Sequence, residues 1–200
     1  MVNELRIMGV PEAYRGGGED SYNLHDFDNR NRIKSFVKSV GMSAQDKKNV
    51  IISSPISGIG KTRLGVGWLF HLRASDVVVD KFWDNDELCE GKPRLHQVSG
   101  YRFLDCREYD YKFEFGGFNV PELIDEIIRK KKGIVIDDLG RENEKATRAY
   151  LAIISYCHSH QIPICITTNL TLEAFYAKYG IDIKRRILDN GVAISLVQPS

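Results

Sequence analysis

The stretch IISSPISGIGKTRL, residues 51–64, decides the fold of this 200-residue chain. It overlaps the apolar run NVIIS and leads into residues with apolar side chains at helical spacing, which predicts a buried strand, a glycine-bearing loop and a helix. The loop nearly matches GxxxxGK[ST], a pattern whose backbone N–H groups surround phosphate. Gly60, Lys61 and Thr62 are in place, but Pro55 stands where the first glycine is expected. The stretch therefore predicts an anion-binding turn with an altered entrance.

The composition is that of a globular protein without a strong charge bias. Hydrophobic residues make up 42% of the chain and the net charge is +1, so a strongly basic nucleic-acid binder is not indicated. The four cysteines form no CxxC pair, which is typical of reduced thiols. No apolar segment is long enough for a membrane span, and the N-terminus lacks a secretory signal. We expect a cytoplasmic protein with no membrane partner.

Apolar runs and helical patterns alternate along the rest of the chain. Further strands are predicted at residues 101–106, 133–138, 162–169 and 192–197. A helix with Thr171 as its N-cap and Gly180 as its stop follows the third of these runs. Continuous apolar strands separated by helices predict one α/β domain with a central parallel five-stranded sheet covered by helices. We place this domain at residues 45–200, after an N-terminal lead-in and helix at residues 1–44.

Other segments are less clear in the sequence. Residues 1–20 end in GGGED and predict a weakly ordered lead-in, and the helical pattern that follows residue 29 is expected to stop at Gly41. Residues 107–118 alternate polar and aromatic side chains, which indicates either a strand or an extended arm. Residues 76–100 are polar and irregular, and we interpret them as an insertion specific to a partner.

The predicted strand ends carry residues suited to a nucleoside triphosphate. Lys61 can reach the β- and γ-phosphates, while Thr62 and Asp137 can hold Mg²⁺. Asp138 can orient a water molecule, and Asn169 follows another strand. Further phosphate contacts are expected from loop residues: Ser57, Gly58, Ile59, Gly60 and Arg63. Each feature has a structural alternative, since an acid pair also caps strands and TTN also forms ordinary turns, but ligands bind at this edge of open parallel sheets.

Four segments together resemble a known family: GIGKTRL, GIVIDDLG, ITTNLTLEAFYAKYG and IKRRIL. They are similar to the AAA+ ATPases of the DnaC/DnaI helicase-loader group and to the related IstB transposition helpers. The resemblance covers roughly residues 45–197 and is strongest in residues 134–188. It implies a three-layer P-loop NTPase fold of the AAA+ type that binds ATP and Mg²⁺.

The resemblance also implies roles for single residues. Lys61 and Thr62 match the Walker-A residues, Asp137 the Walker-B acid, Asp138 the catalytic acid and Asn169 the first sensor. Arg186 falls where the family places an arginine finger that acts in trans, which implies a homo-oligomer. The chain departs from the family at Pro55. We also expect the helical lid to be absent or minimal, and the N-terminal helicase-binding domain of the family to be missing or reduced. We therefore expect ATP hydrolysis that is weak alone and stimulated by a partner or DNA.

Several functions remain compatible with these residues. The leading hypothesis is a helicase loader that acts on single-stranded DNA and a replicative helicase. The alternatives are an IstB-type helper of a transposase, a non-hydrolysing nucleotide-binding adaptor and, less favoured, a small-molecule P-loop kinase. Possible DNA contacts are basic residues in two clusters: Arg129, Lys130, Lys131 and Lys132, and Lys184 and Arg185. The rings of Tyr109, Tyr111 and Phe113 are candidates for base stacking. For each of these groups, however, a charge cluster at a helix end or the packing face of a strand is the favoured explanation.

Overall fold

The centre of the protein is a five-stranded parallel sheet. The structure, a computed structural model, describes residues 2–15, 30–78, 81–84, 87–90, 94–95, 98–115, 120–129 and 131–196. The strands in these residues are β1 (Asn49–Ser53), β2 (Val77–Val78), β3 (Lys81–Asp84), β4 (Glu87–Glu90), β5 (Arg94–Leu95), β6 (Tyr101–Asp105), β7 (Gly133–Asp137), β8 (Ile164–Thr168) and β9 (Gly191–Ser195). The main sheet has the order β6-β7-β8-β1-β9, and all of its neighbouring strands are parallel.

Helices connect the strands and cover both faces of the sheet. They are α1 (Val2–Ile7), α2 (Arg30–Gln45), α3 (Lys61–Ser75), α4 (Cys106–Phe115), α5 (Val120–Ile128), α6 (Glu144–Ser159), α7 (Leu172–Tyr179) and α8 (Ile181–Leu188). Short 3₁₀ turns occupy Glu12–Tyr14 and Val98–Gly100. Thr171 caps α7 by accepting a hydrogen bond from the Ala174 N–H at 3.2 Å, and α7 ends at Gly180, as the sequence predicts.

Burial explains why these residues form this sheet. All five residues of β1, β7 and β8 are buried, as expected for central strands covered on both faces. Apolar side chains on one face pack against α4 to α8, and those on the other face pack against α2, α3 and the N-terminal segment. The predicted three-layer α/β fold with five parallel strands is confirmed.

Gly65 allows α3 to lie close to the sheet. A Cβ atom at this position would meet Thr167 Cγ2 at 3.2 Å and Val135 Cγ1 at 3.3 Å. The glycine lowers helix propensity, but it permits a short distance between α3 and strands β7 and β8. The helix that follows the phosphate-loop sequence is thereby fixed above the strands that carry the acids.

The N-terminal segment differs from the sequence expectation. Residues 2–15 form α1 and a 3₁₀ turn, and the Met8 carbonyl accepts a hydrogen bond from the Phe103 N–H at 2.7 Å. Met8 and Val10 are almost fully buried, so the prediction of weak order is wrong for these residues. Burial of their apolar side chains against the sheet is more favourable in free energy than leaving them exposed to solvent, so this segment is ordered. Residues 16–20 lie outside the described part of the chain.

Helix α2 continues past the predicted stop at Gly41 and ends at Gln45. Val40 and Ala44 lie four residues apart and are both buried against the core. This packing offsets the cost of a glycine inside a helix, which is about 1 kcal/mol. The prediction that α2 ends at Gly41 is therefore wrong because tertiary contacts outweigh local propensity.

The alternating segment after β6 is a helix rather than a strand or an arm. In α4, Cys106, Tyr109 and Phe113 are buried, whereas Tyr111 and Phe115 are exposed. The Phe113 ring meets the Tyr150 ring of α6 edge to face, with centroids 5.4 Å apart. Contact with α6 therefore favours a helix in this segment, although the alternation of polar and aromatic residues also fits a strand.

Residues 76–100 form small antiparallel pairs in their described parts. Strand β2 pairs with β5, and β3 pairs with β4. Their interpretation as a partner-specific insertion stays a prediction. Within the described residues, no helix combines the length and apolar character needed to cross a bilayer, and no helix follows β9.

Candidate functional site

The loop between β1 and α3 presents the start of a helix to solvent. Gly58 has a φ of +75° and Gly60 a φ of +97°, left-handed values that glycine adopts without steric cost. Gly60 is the N-cap of α3 and provides no side-chain hydrogen bond to the helix. The first N–H groups of a helix and its dipole favour an anion at such a position.

Pro55 lies at the entrance of this loop and is exposed. Beside it, the Ser54 N–H donates to the Thr168 carbonyl at 3.1 Å, and the Ser54 hydroxyl accepts from the Ile56 N–H at 3.2 Å. These bonds fix the exit from β1 without a glycine. The proline therefore changes the entrance and leaves both left-handed glycines in place.

Lys61 is the first residue of α3 and is 7% exposed. Its Nζ donates a hydrogen bond to the Ile56 carbonyl at 2.8 Å, so the side chain folds back over the loop. Burial lowers the pKa of Lys61, against the attraction of Asp138 and Asp137. The lysine is thus a largely buried cation close to two carboxylates.

Asp137 ends β7 and is held by hydroxyl groups from two other elements. Its Oδ2 accepts a hydrogen bond from the Thr62 hydroxyl at 3.1 Å, and its Oδ1 accepts one from the Thr167 hydroxyl at 2.6 Å. Burial raises the pKa of Asp137 to about 6, although both hydrogen bonds act in the opposite direction. A buried carboxylate next to a hydroxyl oxygen is a donor set that fits Mg²⁺.

Asp138 adopts a left-handed backbone conformation, with a φ of +63° that is uncommon for residues other than glycine. Its N–H donates to the Thr167 hydroxyl at 3.0 Å, and its Oδ1 accepts a hydrogen bond from the Asn169 amide. Asp138 after β7 and Asn169 after β8, which the sequence placed at two separate strand ends, are therefore in direct contact. Thr167 bridges both acids, a role that the sequence did not indicate.

These residues line one cavity of about 540 Å³ at the carboxyl edge of the sheet. The predicted residues in its wall are Ser57, Gly58, Gly60, Lys61, Thr62, Arg63, Asp137, Asp138 and Asn169. The Ile59 side chain instead packs against the core, so any role for it stays a prediction. Tyr14 and Arg107 also line the cavity and were missed. Tyr14 lies in the supposed lead-in, and the only sequence signal for Arg107 is its position after a strand.

Arg186 lies at the opposite edge of the sheet. It lines a second cavity, of about 560 Å³, together with Asn49 and Pro163, which stand at or just before the starts of β1 and β8. Its Nη1 donates a hydrogen bond to the Ser155 hydroxyl of α6. Within one chain the structure does not bring Arg186 to the first cavity, and its predicted action in trans stays a prediction.

Those predicted DNA-contact residues that the structure describes are not among the residues that line the first cavity. Arg129 pairs with Asp125 at 2.5 Å, Lys131 donates to the Ser99 carbonyl at 2.7 Å, and Lys132 is exposed. In α8, Lys184 Nζ lies 5.1 Å from the Tyr176 ring centroid, and Arg185 Nη2 lies 3.9 Å from Asp182 Oδ1. Lys130 lies outside the described residues.

The prediction for the aromatic residues is partly wrong. Tyr109 and Phe113 are 4% and 1% exposed, so neither ring is available for stacking with a base. Tyr111 is 67% exposed, and its ring lies 5.3 Å from that of the exposed Phe115. Because α4 is a helix, the four rings divide between a buried face and a solvent face.

An all-parallel sheet whose β1 strand leads through a glycine-bearing loop into a helix that begins with Lys61 and Thr62 is the architecture of P-loop proteins. No model of a known protein family matches the chain, and no curated protein matches it. Solved structures do match. A structure described as the DnaC helicase loader has a TM-score of 0.62 at 18% identity, covering 94% of this chain and 100% of that one.

Two further structures have the same architecture. A structure of DnaI has a TM-score of 0.59 at 17% identity and covers 95% of this chain and 96% of that one. PCH-2 from C. elegans has a TM-score of 0.53 at 18% identity, and the match covers 90% of this chain but 46% of that one. The chain therefore has a DnaC/DnaI-like AAA+ fold.

Proposed function

We propose that this protein binds and hydrolyses ATP at the carboxyl edge of its sheet and acts as an ATP-controlled switch in DNA replication. The observation that carries the proposal is the convergence of three chain segments on one cavity. Thr62 contacts Asp137, Asn169 contacts Asp138, and Lys61 lies beside both acids. A triphosphate needs helix N–H donors, a cation and oxygen ligands for Mg²⁺, and this cavity supplies all of them.

The loop and Lys61 hold the phosphates in this proposal. N–H groups of the loop and of the first turn of α3 donate to phosphate oxygens, and Lys61 exchanges the Ile56 carbonyl for the β- and γ-phosphates. Thr62 and Asp137 would hold Mg²⁺, which would neutralise phosphate charge. The raised pKa of Asp137 reflects burial that a bound cation would compensate.

Asp138 and Asn169 act on the water that attacks the γ-phosphate. The left-handed backbone of Asp138 and its hydrogen bond to Asn169 fix the direction of the carboxylate. A carboxylate held in this way can orient the water and accept its proton. Arg186 acts on ATP of a neighbouring subunit, which is why assembly of a homo-oligomer belongs to the proposal.

A helicase loader is the replication function that the fold favours. The match to the structure described as the DnaC helicase loader covers nearly the whole of this chain. We infer that this protein acts with a replicative helicase and single-stranded DNA. Tyr111 and Phe115 provide two exposed rings on α4 for stacking with bases, and basic residues outside the ATP cavity provide charge.

Nucleotide binding is tested directly with Lys61→Ala. The variant loses a charge-assisted contact to two phosphates, so its affinity for ATP should fall by about 30-fold or more. Lys48→Ala is the matched control, because Lys48 pairs with Asp46 on the surface at 3.1 Å. Equilibrium titration with a fluorescent ATP analogue gives the affinity. A wild-type protein with no affinity for ATP or ADP would overturn the proposal.

The loader function requires a separate measurement. Purified protein with ATP should increase the loading of a replicative helicase onto single-stranded DNA, and DNA binding should weaken as salt rises. Lys61→Ala should abolish the loading while Lys48→Ala preserves it. Recovery of a transposase in place of a helicase in a pull-down would favour the IstB-like alternative, and ATP binding with no turnover under any condition would favour an adaptor.

A further inference from the structure

Arg107 brings a further cation, besides Lys61 and Arg63, to the cavity that contains the acids. Strand β6 ends at Asp105, opposite Asp137 in the parallel register, and α4 begins at the next residue. The Arg107 side chain lines the cavity together with both acids. Lys61 begins α3, the helix that follows β1, and in the sheet order β7 lies between β6 and the pair β8 and β1. Lys61 and Arg107 therefore approach the acids from opposite sides.

Asp105 holds the Arg107 guanidinium in a fixed position. Nε donates to Asp105 Oδ1 at 3.0 Å, Nη2 donates to Oδ2 at 2.8 Å, and the Arg107 N–H donates to Oδ1 at 3.0 Å. The pairing uses two of the five N–H donors of a guanidinium, so three donors lie outside it. The hydrogen bond to Asp105, together with the fields of Asp105, Asp138 and Asp137, raises the pKa of Arg107.

The exposure of Arg107 separates it from a purely structural ion pair. Its side chain is 70% exposed, so a ligand can reach the outer N–H groups without displacing Asp105. Arg148 on α6 has a similar ion pair with Glu144 and is 77% exposed, but it is not among the residues that line the cavity. An oriented cation that is already paired loses little side-chain entropy when it meets a phosphate.

We propose that Arg107 is a further catalytic residue, whose outer N–H groups contact the terminal phosphate of ATP bound to the same chain. The proposal rests on the proposed function, because it needs ATP in this cavity. During hydrolysis the water oxygen bonds to the γ-phosphorus and the bond to the β–γ bridging oxygen breaks. ADP keeps the electron pair of that bond, and the water proton passes to Asp138 and then to solvent. Arg107 stabilises the charge on the γ-phosphoryl oxygens and forms no covalent bond.

The position of Arg107 gives it a role distinct from that of Arg186. Arg107 lines the cavity of its own chain, whereas Arg186 lies at the other edge of the sheet and requires a neighbouring subunit. A contact in cis exists in the monomer and distinguishes ATP from ADP, since only ATP carries the terminal phosphate. The protein should therefore recognise the γ-phosphate before it assembles.

The experiment compares affinities for ADP and a non-hydrolysable ATP analogue at protein concentrations where the chain is monomeric. Arg107→Ala should weaken binding of the ATP analogue about tenfold, the effect of one charge-assisted contact, and change ADP affinity less than about twofold. Arg107→Lys, which keeps the charge but not the bidentate geometry, should give an intermediate loss. Arg148→Ala should leave both monomer affinities unchanged. Thermal melting without nucleotide checks that each variant is folded.

The outcomes separate this inference from the proposed function. Wild-type binding of both nucleotides, with Arg107→Ala reducing the two affinities equally or not at all, would overturn the role of Arg107 and leave ATP binding intact. A wild-type protein that binds neither nucleotide would overturn both. Selective loss of ATP-analogue affinity in Arg107→Ala, with normal melting, is the expected result.

Discussion

At the scale of single residues, Thr167 determines how the two acids are arranged. Its hydroxyl donates to Asp137 Oδ1 and accepts from the Asp138 N–H, and it is 1% exposed. The Thr167 carbonyl also accepts a hydrogen bond from the Leu139 N–H at 3.0 Å. One residue of β8 therefore contacts three successive residues at the end of β7. We interpret Thr167 as a positioning residue for the proposed Mg²⁺ ligand and the proposed base.

Replacing Thr167 tests this interpretation. Thr167→Val leaves a buried carboxylate oxygen and a buried N–H without the hydroxyl, so stability should fall by about 2 kcal/mol or more. Thr167→Ser keeps the hydroxyl and loses one methyl group, which costs about 1 kcal/mol. Urea denaturation measures both values, and nucleotide titration with and without Mg²⁺ should show a weaker Mg²⁺ dependence in Thr167→Val alone. Equal behaviour of the two variants would contradict the positioning role.

At the scale of elements, Glu142 connects the loop after β7 to α7. Its fully buried carboxylate accepts hydrogen bonds from the Tyr179 hydroxyl at 2.5 Å and from the Gly140 N–H at 2.7 Å, and its distance to Lys178 Nζ is 2.9 Å. Lys178 also donates to the Gly140 carbonyl at 2.8 Å. Because Gly140 directly follows Asp138 and Leu139 in this loop, the network holds α7 against the segment that carries the acids.

The network predicts a pH dependence of stability. Burial alone raises the pKa of Glu142, but hydrogen bonds from Tyr179 and Lys178 outweigh it and hold this pKa below the usual value of 4.5. When the pKa of a carboxyl group is lower in the folded state, the group stabilises the protein fully at pH values above its unfolded-state pKa. This contribution is lost as pH falls through the folded-state pKa. Glu142→Gln should therefore cost about 2 kcal/mol at pH 7, and the difference from wild type should shrink in acid.

Urea denaturation at neutral and acidic pH measures this dependence. Glu144→Gln is the matched control, because Glu144 lies on the surface and pairs with Arg148. An exposed pair of this kind contributes at most about 1 kcal/mol, so the control should show little change at either pH. A difference between Glu142→Gln and wild type that stays constant down to acid pH would contradict the assignment.

At the scale of the whole molecule, the two edges of the sheet carry separate parts of the proposed machinery. The proposed ATP-binding cavity lies at the carboxyl edge, and Arg186 lies at the amino edge beside Asn49 and Pro163. If Arg186 acts on a neighbour, one subunit supplies the ATP site and the next supplies the arginine. Such a head-to-tail contact repeats from subunit to subunit.

Mixing two inactive variants tests this arrangement. Lys61→Ala lacks the ATP site but keeps Arg186, whereas Arg186→Ala keeps the ATP site. Each alone should hydrolyse little ATP, while an equal mixture should recover roughly a quarter of wild-type turnover if subunits assemble at random. Arg186 also bonds to Ser155, so melting curves must show that Arg186→Ala is folded. No recovery in the mixture, despite normal assembly and ATP binding by Arg186→Ala, would contradict action in trans.

The sequence by itself determined the features that depend on neighbouring residues. The buried strands, the glycine-bearing loop before α3, the cap at Thr171 and the polar residues at strand ends all follow from local burial patterns and backbone requirements. Parallel strands then bring their carboxyl ends together, which is why Lys61, Asp137 and Asn169 could be assigned to one cavity before the structure was known.

Only the tertiary structure decided the features that depend on distant contacts. Contact with α6 makes α4 helical and buries Tyr109 and Phe113. Contact with the sheet surface orders Met8 and Val10. Arg107 reaches the cavity, and the Thr167 hydroxyl joins the acids, because β6, β7 and β8 lie side by side. These outcomes depend on side-chain packing between elements far apart in the chain, which local propensity does not encode.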